Sequence, residues 1–251
     1  AYSSRNEKYI LIKAPPASGK SRALMFIGLD KLNKQGISKI IIAVPERSIA
    51  KSFANANLIQ FGFDYNWEIN EKYNLCRIGG EKHKVETFLE FVNSNDQILL
   101  CTHSTLRFAI DKLEFGLLDN SLIAIDEFHH VSSDYNNKLG EVVRSIMDNT
   151  SAHIIAMTGS YFRGDGVPVL FPEDEIKFKK VTYNYYEQLN GYKYLKTLDI
   201  SFSFYQGKFY ESLEKVLSEN KKTIIHIPNI NAAESTKDKY DEVDKIYDIL
   251  G

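Results

Sequence analysis

The sequence predicts an α/β fold, a mainly parallel β-sheet covered on both faces by helices, and two observations carry that expectation. From Tyr9 to about Ser160 of the 251-residue chain, short apolar runs of 5 or 6 residues, β-branched or leucine-rich, read as strands. Between them, apolar positions recur at helical spacing. Strands that are apolar at every position must be covered on both sides, and their alternation with amphipathic helices is the pattern of a parallel sheet. The composition, 43% hydrophobic and 25% charged, suits one large domain or one domain and part of another.

The elements follow in chain order. "YILIK" (9–13) is a strand, followed by a helix in "SRALMFIGLDKL" (21–32), then the strand "KIIIAV" (39–44). Val85, Phe88, Leu89 and Val92 mark a second helix, and "QILLCT" (97–102) and "LIAID" (122–126) two further strands. Leu139, Val142, Val143, Ile146 and Met147 line one face of a helix before the strand "HIIAMT" (153–158). Beyond Ser160, "YFRGDGVPVLFPEDE" (161–175) has no period and reads as a loop leaving the first domain. The next thirty residues, 176–205, interleave lysines with aromatics, either as a surface on which bases could stack or as an alternating, strand-like connector. A helix bearing Phe209, Leu213, Val216 and Leu217, the strand "TIIHIP" (223–228) and a helix bearing Tyr240, Val243, Tyr247 and Leu250 are too little for an independent domain. The expected organisation is therefore a first domain at 1–175, a connector at 176–205 and the incomplete start of a second α/β unit at 206–251.

Several classes are disfavoured by composition. A formal net charge of −2 exerts no global pull toward nucleic acid or acidic lipid, although a locally basic cleft remains compatible with it. The early apolar stretch is interrupted by Lys13 and ends in Pro15-Pro16, so neither a secretory signal nor a membrane span is expected, and a soluble, cytoplasmic protein is. Cys76 and Cys101 lack Cys-x-x-Cys spacing and read as reduced structural thiols.

Chemistry-bearing residues gather at the carboxyl ends of the expected strands, where ligands of such sheets bind. "APPASGKS" (Ala14, Pro15, Pro16, Ala17, Ser18, Gly19, Lys20, Ser21) joins a strand to a helix and carries an intact Gly-Lys-Ser. It is either a phosphate cradle, with backbone N–H groups and a helix dipole facing anionic oxygens, or a proline-stiffened turn. As a cradle it would use Lys20 on the outer phosphates and Ser21 on magnesium. In "SLIAIDEFHH", Asp126 and Glu127 follow a buried strand; Asp126 could hold magnesium and Glu127 polarise an attacking water. Adjacent His129 and His130 lack the i, i+4 spacing of a zinc pair. "HIIAMTGSYFR" ends its strand in Thr158, Gly159 and Ser160.

In combination these stretches resemble the superfamily 2 helicases and translocases of the DEAD/DEAH-box type. "APPASGKS" resembles their motif I, with Ala17 where Gly is commoner; "DEFH" resembles motif II and "TGS" motif III. "VPERSIA", with Pro45 and Arg47, is similar to motif Ia, and Gly79, Gly80 and "CTHSTL", which contains Thr102, resemble the strand-gripping motifs. "TGSYFRGDG" and "YNYYEQLNG" look most like the branch of restriction-enzyme motor subunits and related phage or mobile-element helicases. The resemblance implies a RecA-like P-loop NTPase domain, followed by the truncated start of a second one, with ATP and Mg2+ as cofactors. It implies binding through residues 14–21, metal at Ser21 and Asp126, and catalysis by Lys20, Asp126 and Glu127. It further implies coupling through His129, Thr158 and Ser160, and nucleic-acid contact, DNA ahead of RNA, at Pro45, Arg47, Gly79, Gly80 and Thr102. The remaining partners implied are a C-terminal helicase domain of the same protein and restriction or mobile-element machinery.

Alternatives differ in what they leave unexplained. A nucleotide-gated binding module without productive translocation would share the same site. An ABC-type ATPase needs a Leu-Ser-Gly-Gly-Gln stretch that does not occur between Ser21 and Ile125, and a small-molecule kinase leaves "DEFH" and "TGS" without a role. No arginine follows Arg163, whereas the family takes its arginine finger from the second domain. The 251 residues are accordingly expected to bind Mg-nucleotide, to hydrolyse it slowly, and to be part of a longer helicase.

Overall fold

A computed structural model describes residues 1–77, 81–128, 138–159, 172–191 and 243–244. The chain divides into two compact units, Ala1–Tyr194 and Leu195–Gly251. The helices and the "TIIHIP" strand expected at 206–251 lie outside the described residues.

The described strands of the first unit are β1 (Tyr9–Lys13), β2 (Lys39–Val44), β3 (Ile98–Thr102), β4 (Ser121–Ile125), β5 (His153–Thr158) and β6 (Lys179–Thr182). They form one six-stranded sheet in the order β3-β2-β4-β5-β1-β6, and every pairing is parallel. The five strands read from sequence all form, within one residue of their expected ends. β6 falls inside the stretch read as a connector. Lys179 and Lys180 are exposed, so the run has no buried apolar signature, and only its backbone pairing with β1 makes it a strand. Pro172–Glu175, inside the stretch read as loop, forms a short helix (α5).

Period-two alternation divides the sheet's side chains between two cores. Leu11, Ile41, Ala43, Leu99, Ile123, Ile125 and Ile154 point to one face. There they meet α2 (Glu81–Val92), α3 (His103–Ile110) and α4 (Lys138–Asn149), whose Phe88, Phe91, Leu106, Val143 and Ile146 are buried. Ile10, Ile12, Ile40, Ile42, Leu100, Ala124 and Met157 point to the other face, against α1 (Lys20–Lys34) and the irregular segment 45–76. That segment is short 3-10 turns rather than a long helix, and Trp67 anchors it: fully buried, its indole Nε1 donates to the Phe53 carbonyl at 3.1 Å. Trp67 can approach because α1 carries Gly28 there; a Cβ would lie 3.3 Å from the indole and 2.9 Å from Ile40 Cδ1. Cys76 and Cys101 are buried free thiols. Among the described residues, no helix is long and apolar enough to cross a membrane.

The strand order positions the site. β4, β5 and β1 are neighbours, with Ile125 beside Ala156 and Lys13 beside Thr158 in the register. The three segments leaving their carboxyl ends are the "APPASGKS" loop, the Asp126-Glu127 pair and the Thr158-Gly159 turn. Residues far apart in sequence thus come to one edge because the chain crosses from β1 to β2 before filling the space between.

Candidate functional site

The loop from Ala14 to Gly19 is held at its base by the sheet. The Ala14 N–H donates to the Thr158 carbonyl at 3.0 Å, extending the β1–β5 pairing by one rung. Pro15 and Pro16 stiffen the exit, Ser18 N–H closes a turn onto Pro15 O at 3.3 Å, and α1 begins at Lys20 with Ala23 N–H bonding Gly19 O at 3.0 Å. Two residues take left-handed backbones: Gly19 with φ +86°, where glycine is free of penalty, and Ala17 with φ +58°, where alanine is not. No side chain caps the amino end of α1, and no acid lies in its first turn. The Ser18 hydroxyl oxygen is buried without a hydrogen-bond partner. Lys20 folds back over the loop, its ammonium donating to the carbonyls of Ala14 and Pro15 at 3.0 Å each. Ser21 opens the same helical turn.

The acid pair lies across from it. Asp126 is 5% exposed, and its N–H donates to Ala43 O at 2.9 Å, continuing the β2–β4 ladder. Burial, and then the adjacent Glu127 charge, push the Asp126 carboxyl up to about 6, while the charge of Lys20 pulls the other way. Phe128 is fully buried in the helical-face core, so the chain turns sharply between two buried residues, and Glu127 takes φ +49°. A left-handed glutamate is a sparsely populated backbone that only a well-determined surrounding retains.

Thr158 is fully buried at the end of β5. A Cβ on Gly159 would stand 3.5 Å from Pro16 Cδ and 3.7 Å from Lys20 Nζ, so this turn abuts the loop and its lysine. The structure therefore brings together residues 14–21, Asp126, Glu127 and Thr158. His129, Ser160, Gly79 and Gly80 lie outside the described residues.

Along the same sheet edge, Pro45 and Arg47 follow β2, and Arg47 is exposed. Burial pushes the Cys76 thiol up to about 11, and the charges of Lys84 and Arg47 pull the other way. Thr102 ends β3 and caps α3: its Oγ1 accepts from the Thr105 N–H at 3.2 Å and lies 3.0 Å from Thr105 Oγ1.

Sequence reasoning missed three participants. His103 Nε2 donates to the Asp126 carbonyl at 2.9 Å, tying α3 to the acid pair; its only signal was its place in "CTHSTL". Lys84 stands in "EKHK" (81–84), on a helix whose apolar face alone was read. Gln188, on α6 (Tyr185–Asn190), donates through Nε2 to Pro16 O at 3.0 Å across 172 positions, a contact with no local signature.

Comparison with known proteins finds a family model and several similar chains. The family model described as "DEAD/DEAH box helicase" matches residues 2–163. A Bacillus subtilis (strain 168) protein described as "Putative ATP-dependent helicase YeeB" is 61% identical over all 251 residues; the chain spans 42% of that relative's length. Among solved structures, the helicase domain of Pyrococcus furiosus Hef has a TM-score of 0.49 at 17% identity, over 87% of this chain and 44% of that one. The Sulfolobus solfataricus SWI2/SNF2 ATPase core in complex with dsDNA has a TM-score of 0.40 at 14% identity, over 61% of this chain and 28% of that one.

Proposed function

Since the chain belongs to the DEAD/DEAH box helicase family and its parallel sheet is RecA-like, we propose that it is the ATP-binding motor domain of a nucleic-acid helicase or translocase. The observation that carries this reading is the convergence of loop, acid pair and turn on one sheet edge, with Lys20 between them. The residues fit both groups that the reading requires. An uncapped helix start, a buried unpartnered Ser18 hydroxyl and a lysine donating to two loop carbonyls suit an anionic phosphate chain. Two adjacent acids beside a single loop cation, one of them buried and with its carboxyl pushed up to about 6 by that burial and by the neighbouring charge, form a negative site that a divalent metal would neutralise.

In this reading, residues 14–21 cradle the phosphates and Lys20 exchanges its loop carbonyls for phosphate oxygens, forming charge-assisted hydrogen bonds. Ser21 and Asp126 would hold magnesium, which when bound would supply charge neutralisation at the phosphate oxygens. Glu127 accepts a proton from the attacking water, from a residue whose backbone is left-handed, with φ +49°. His103 holds the backbone of the acid pair from α3. His129, Thr158 and Ser160 couple this centre to the strand-binding surface. Arg47, with Pro45, Gly79, Gly80 and Thr102, contacts the nucleic-acid backbone, DNA ahead of RNA, with Lys84 adding local positive charge. Residues 1–175 form the first motor domain, 176–205 lead out of it, with β6 returning to its sheet, and 206–251 begin the second. The restriction-motor-like branch belongs to the same reading, supported by the "TGSYFRGDG" and "YNYYEQLNG" phrases.

Calorimetry of residues 1–251 with Mg-ATP tests the site: saturable binding is expected, and its absence refutes the nucleotide reading. Steady-state ATPase assays with single-stranded DNA, duplex DNA and RNA test the motor. Turnover by residues 1–251 should be slow, because the arginines end at Arg163, and turnover by the longer parent should rise with nucleic acid. A parent whose turnover ignores all three nucleic acids is not a motor.

A further inference from the structure

The peptide that precedes the loop residue Ala17 is held by a distant helix residue, Gln188, to which the functional reading gives no role. Ala17 has φ +58°, a backbone that L side chains enter rarely and leave readily by rotation of the neighbouring peptide. The peptide preceding it, Pro16–Ala17, is planar, so the Pro16 C=O and the Ala17 N–H point in opposite directions. Gln188 grips that peptide by its oxygen, with Nε2 3.0 Å from Pro16 O. The pyrrolidine of Pro16 is meanwhile backed by the Thr158-Gly159 turn, whose Gly159 leaves 3.5 Å from an ideal Cβ to Pro16 Cδ.

Gln188 is itself held in place. It is 7% exposed. The helix that carries it starts with a capping box: Asn184 Oδ1 accepts from the Glu187 N–H at 2.9 Å and Glu187 Oε2 accepts from the Asn184 N–H at 2.7 Å. Immediately before it, the Tyr183 N–H donates to Lys13 O at 2.8 Å, one rung beyond the β1–β6 pairing of Lys13 with Thr182. The strand that launches the loop and the strand that launches Gln188 are therefore locked in register, and the amide of Gln188 reaches the loop from a fixed base.

We infer that Gln188 is a positioning residue of the phosphate loop: by holding the Pro16 carbonyl it keeps the Ala17 N–H turned away from α6 and the left-handed Ala17 backbone in place. This rests on the cradle reading for its consequence, nucleotide affinity, but not for the clamp itself. An alanine where glycine would be free of strain makes an external hold necessary, and the coupling between positions 17 and 188 is the signature that a merely structural contact lacks.

The test uses residues 1–251 with Gln188→Met, which keeps the length and loses the donor, Gln188→Glu, which keeps the shape and sets an acceptor against the carbonyl, and Ala17→Gly. Amide hydrogen exchange of residues 14–21, without nucleotide, should accelerate about tenfold in both Gln188 variants, the scale of one lost hydrogen bond. Mg-ATP affinity should fall about tenfold. In the Ala17→Gly background the same Gln188→Met change should cost less than about threefold, because glycine holds φ near +60° unaided. Thermal melting checks that each variant is folded, and Gln188→Glu serves if Gln188→Met is not. Unchanged loop exchange overturns the clamp, whatever nucleotide does. Faster exchange with unaltered affinity, or equal losses with and without the Ala17→Gly change, overturns the positioning role. Wild-type protein that binds no Mg-ATP overturns the nucleotide reading instead, and the exchange arm still decides the clamp.

Discussion

Replacing Lys20 with alanine separates a phosphate ligand from a loop staple. The ammonium donates to two backbone carbonyls, Ala14 O and Pro15 O, at 3.0 Å each, and the side chain is only part-buried. Water can replace it on those carbonyls, so the loss of fold stability should be about 1 kcal/mol or less. For a domain of this size that lowers the melting temperature by roughly 2–4 °C. At the phosphates the same ammonium makes charge-assisted hydrogen bonds, worth roughly 1.5–3 kcal/mol. At about 1.4 kcal/mol per decade this is a loss of roughly 10- to 150-fold in affinity, enough to take a weak site out of the measurable range. Calorimetry with Mg-ATP, Mg-ADP and adenosine provides the assay, alongside thermal melting. The expected pattern is a large loss for both nucleotides, an unaltered response to adenosine and a small change in melting temperature. Equal Mg-ATP affinity in wild type and Lys20→Ala, with a melting temperature lowered by many degrees, would refute the reasoning, because Lys20 would then serve the loop alone.

Glu127→Gln should retain Mg-ATP affinity and lower turnover in the full-length protein, since it removes the proton acceptor and spares the cradle; loss of binding and turnover together would show that the role is misassigned. Gly28→Ala places a Cβ 2.9 Å from Ile40 Cδ1 and 3.3 Å from Trp67 Cζ3, both side chains fully buried. Overpacking of roughly 1–3 kcal/mol should exceed a helix-propensity gain of about 1 kcal/mol, lowering the melting temperature by a few degrees, and a rise would contradict this packing. Burial pushes Lys31 down to about 8, and burial followed by the Lys31 charge pushes His153, whose Nδ1 lies 2.8 Å from Lys31 Nζ, down to about 4. For these two groups the folded state binds fewer protons than the unfolded chain over about pH 4–6.5 and pH 8–10.5, so they contribute stability that rises with pH through both windows, against the opposite contributions of Asp126 over about pH 4–6 and of the Cys76 thiol over about pH 9–11. Urea titrations across pH check this; His153→Gln, which offers Lys31 an acceptor and does not titrate, should lower the slope of stability against pH over about pH 4–6.5 alone, and an unaltered slope would refute the contribution of His153.

The strands β1 to β5 were legible in the sequence because each is buried on both faces, and a fully buried strand must be apolar at every position. The helices α1, α2 and α4 were legible because one-sided burial imposes a 3.6-residue period. The chain order of loop, acid pair and turn also stands in the sequence, since each chemical group directly follows a strand. β6 was not legible: at the open edge of the sheet, with Lys179 and Lys180 exposed, backbone pairing alone defines it. Nor was the packing of segment 45–76, where Trp67 fills the room left by a glycine on α1. Within the site, the sequence named Lys20, Asp126 and Glu127 but not His103, Lys84 or Gln188, because those act through partners 23 to 172 positions away or through shared charge. It placed an alanine at position 17 without revealing its left-handed backbone. Burial patterns are local and repeat along the chain, so a single strand or helix carries its own evidence. Which loops meet is decided by the strand order β4-β5-β1 and the register between strands, quantities that no one segment contains and that only the assembled sheet sets.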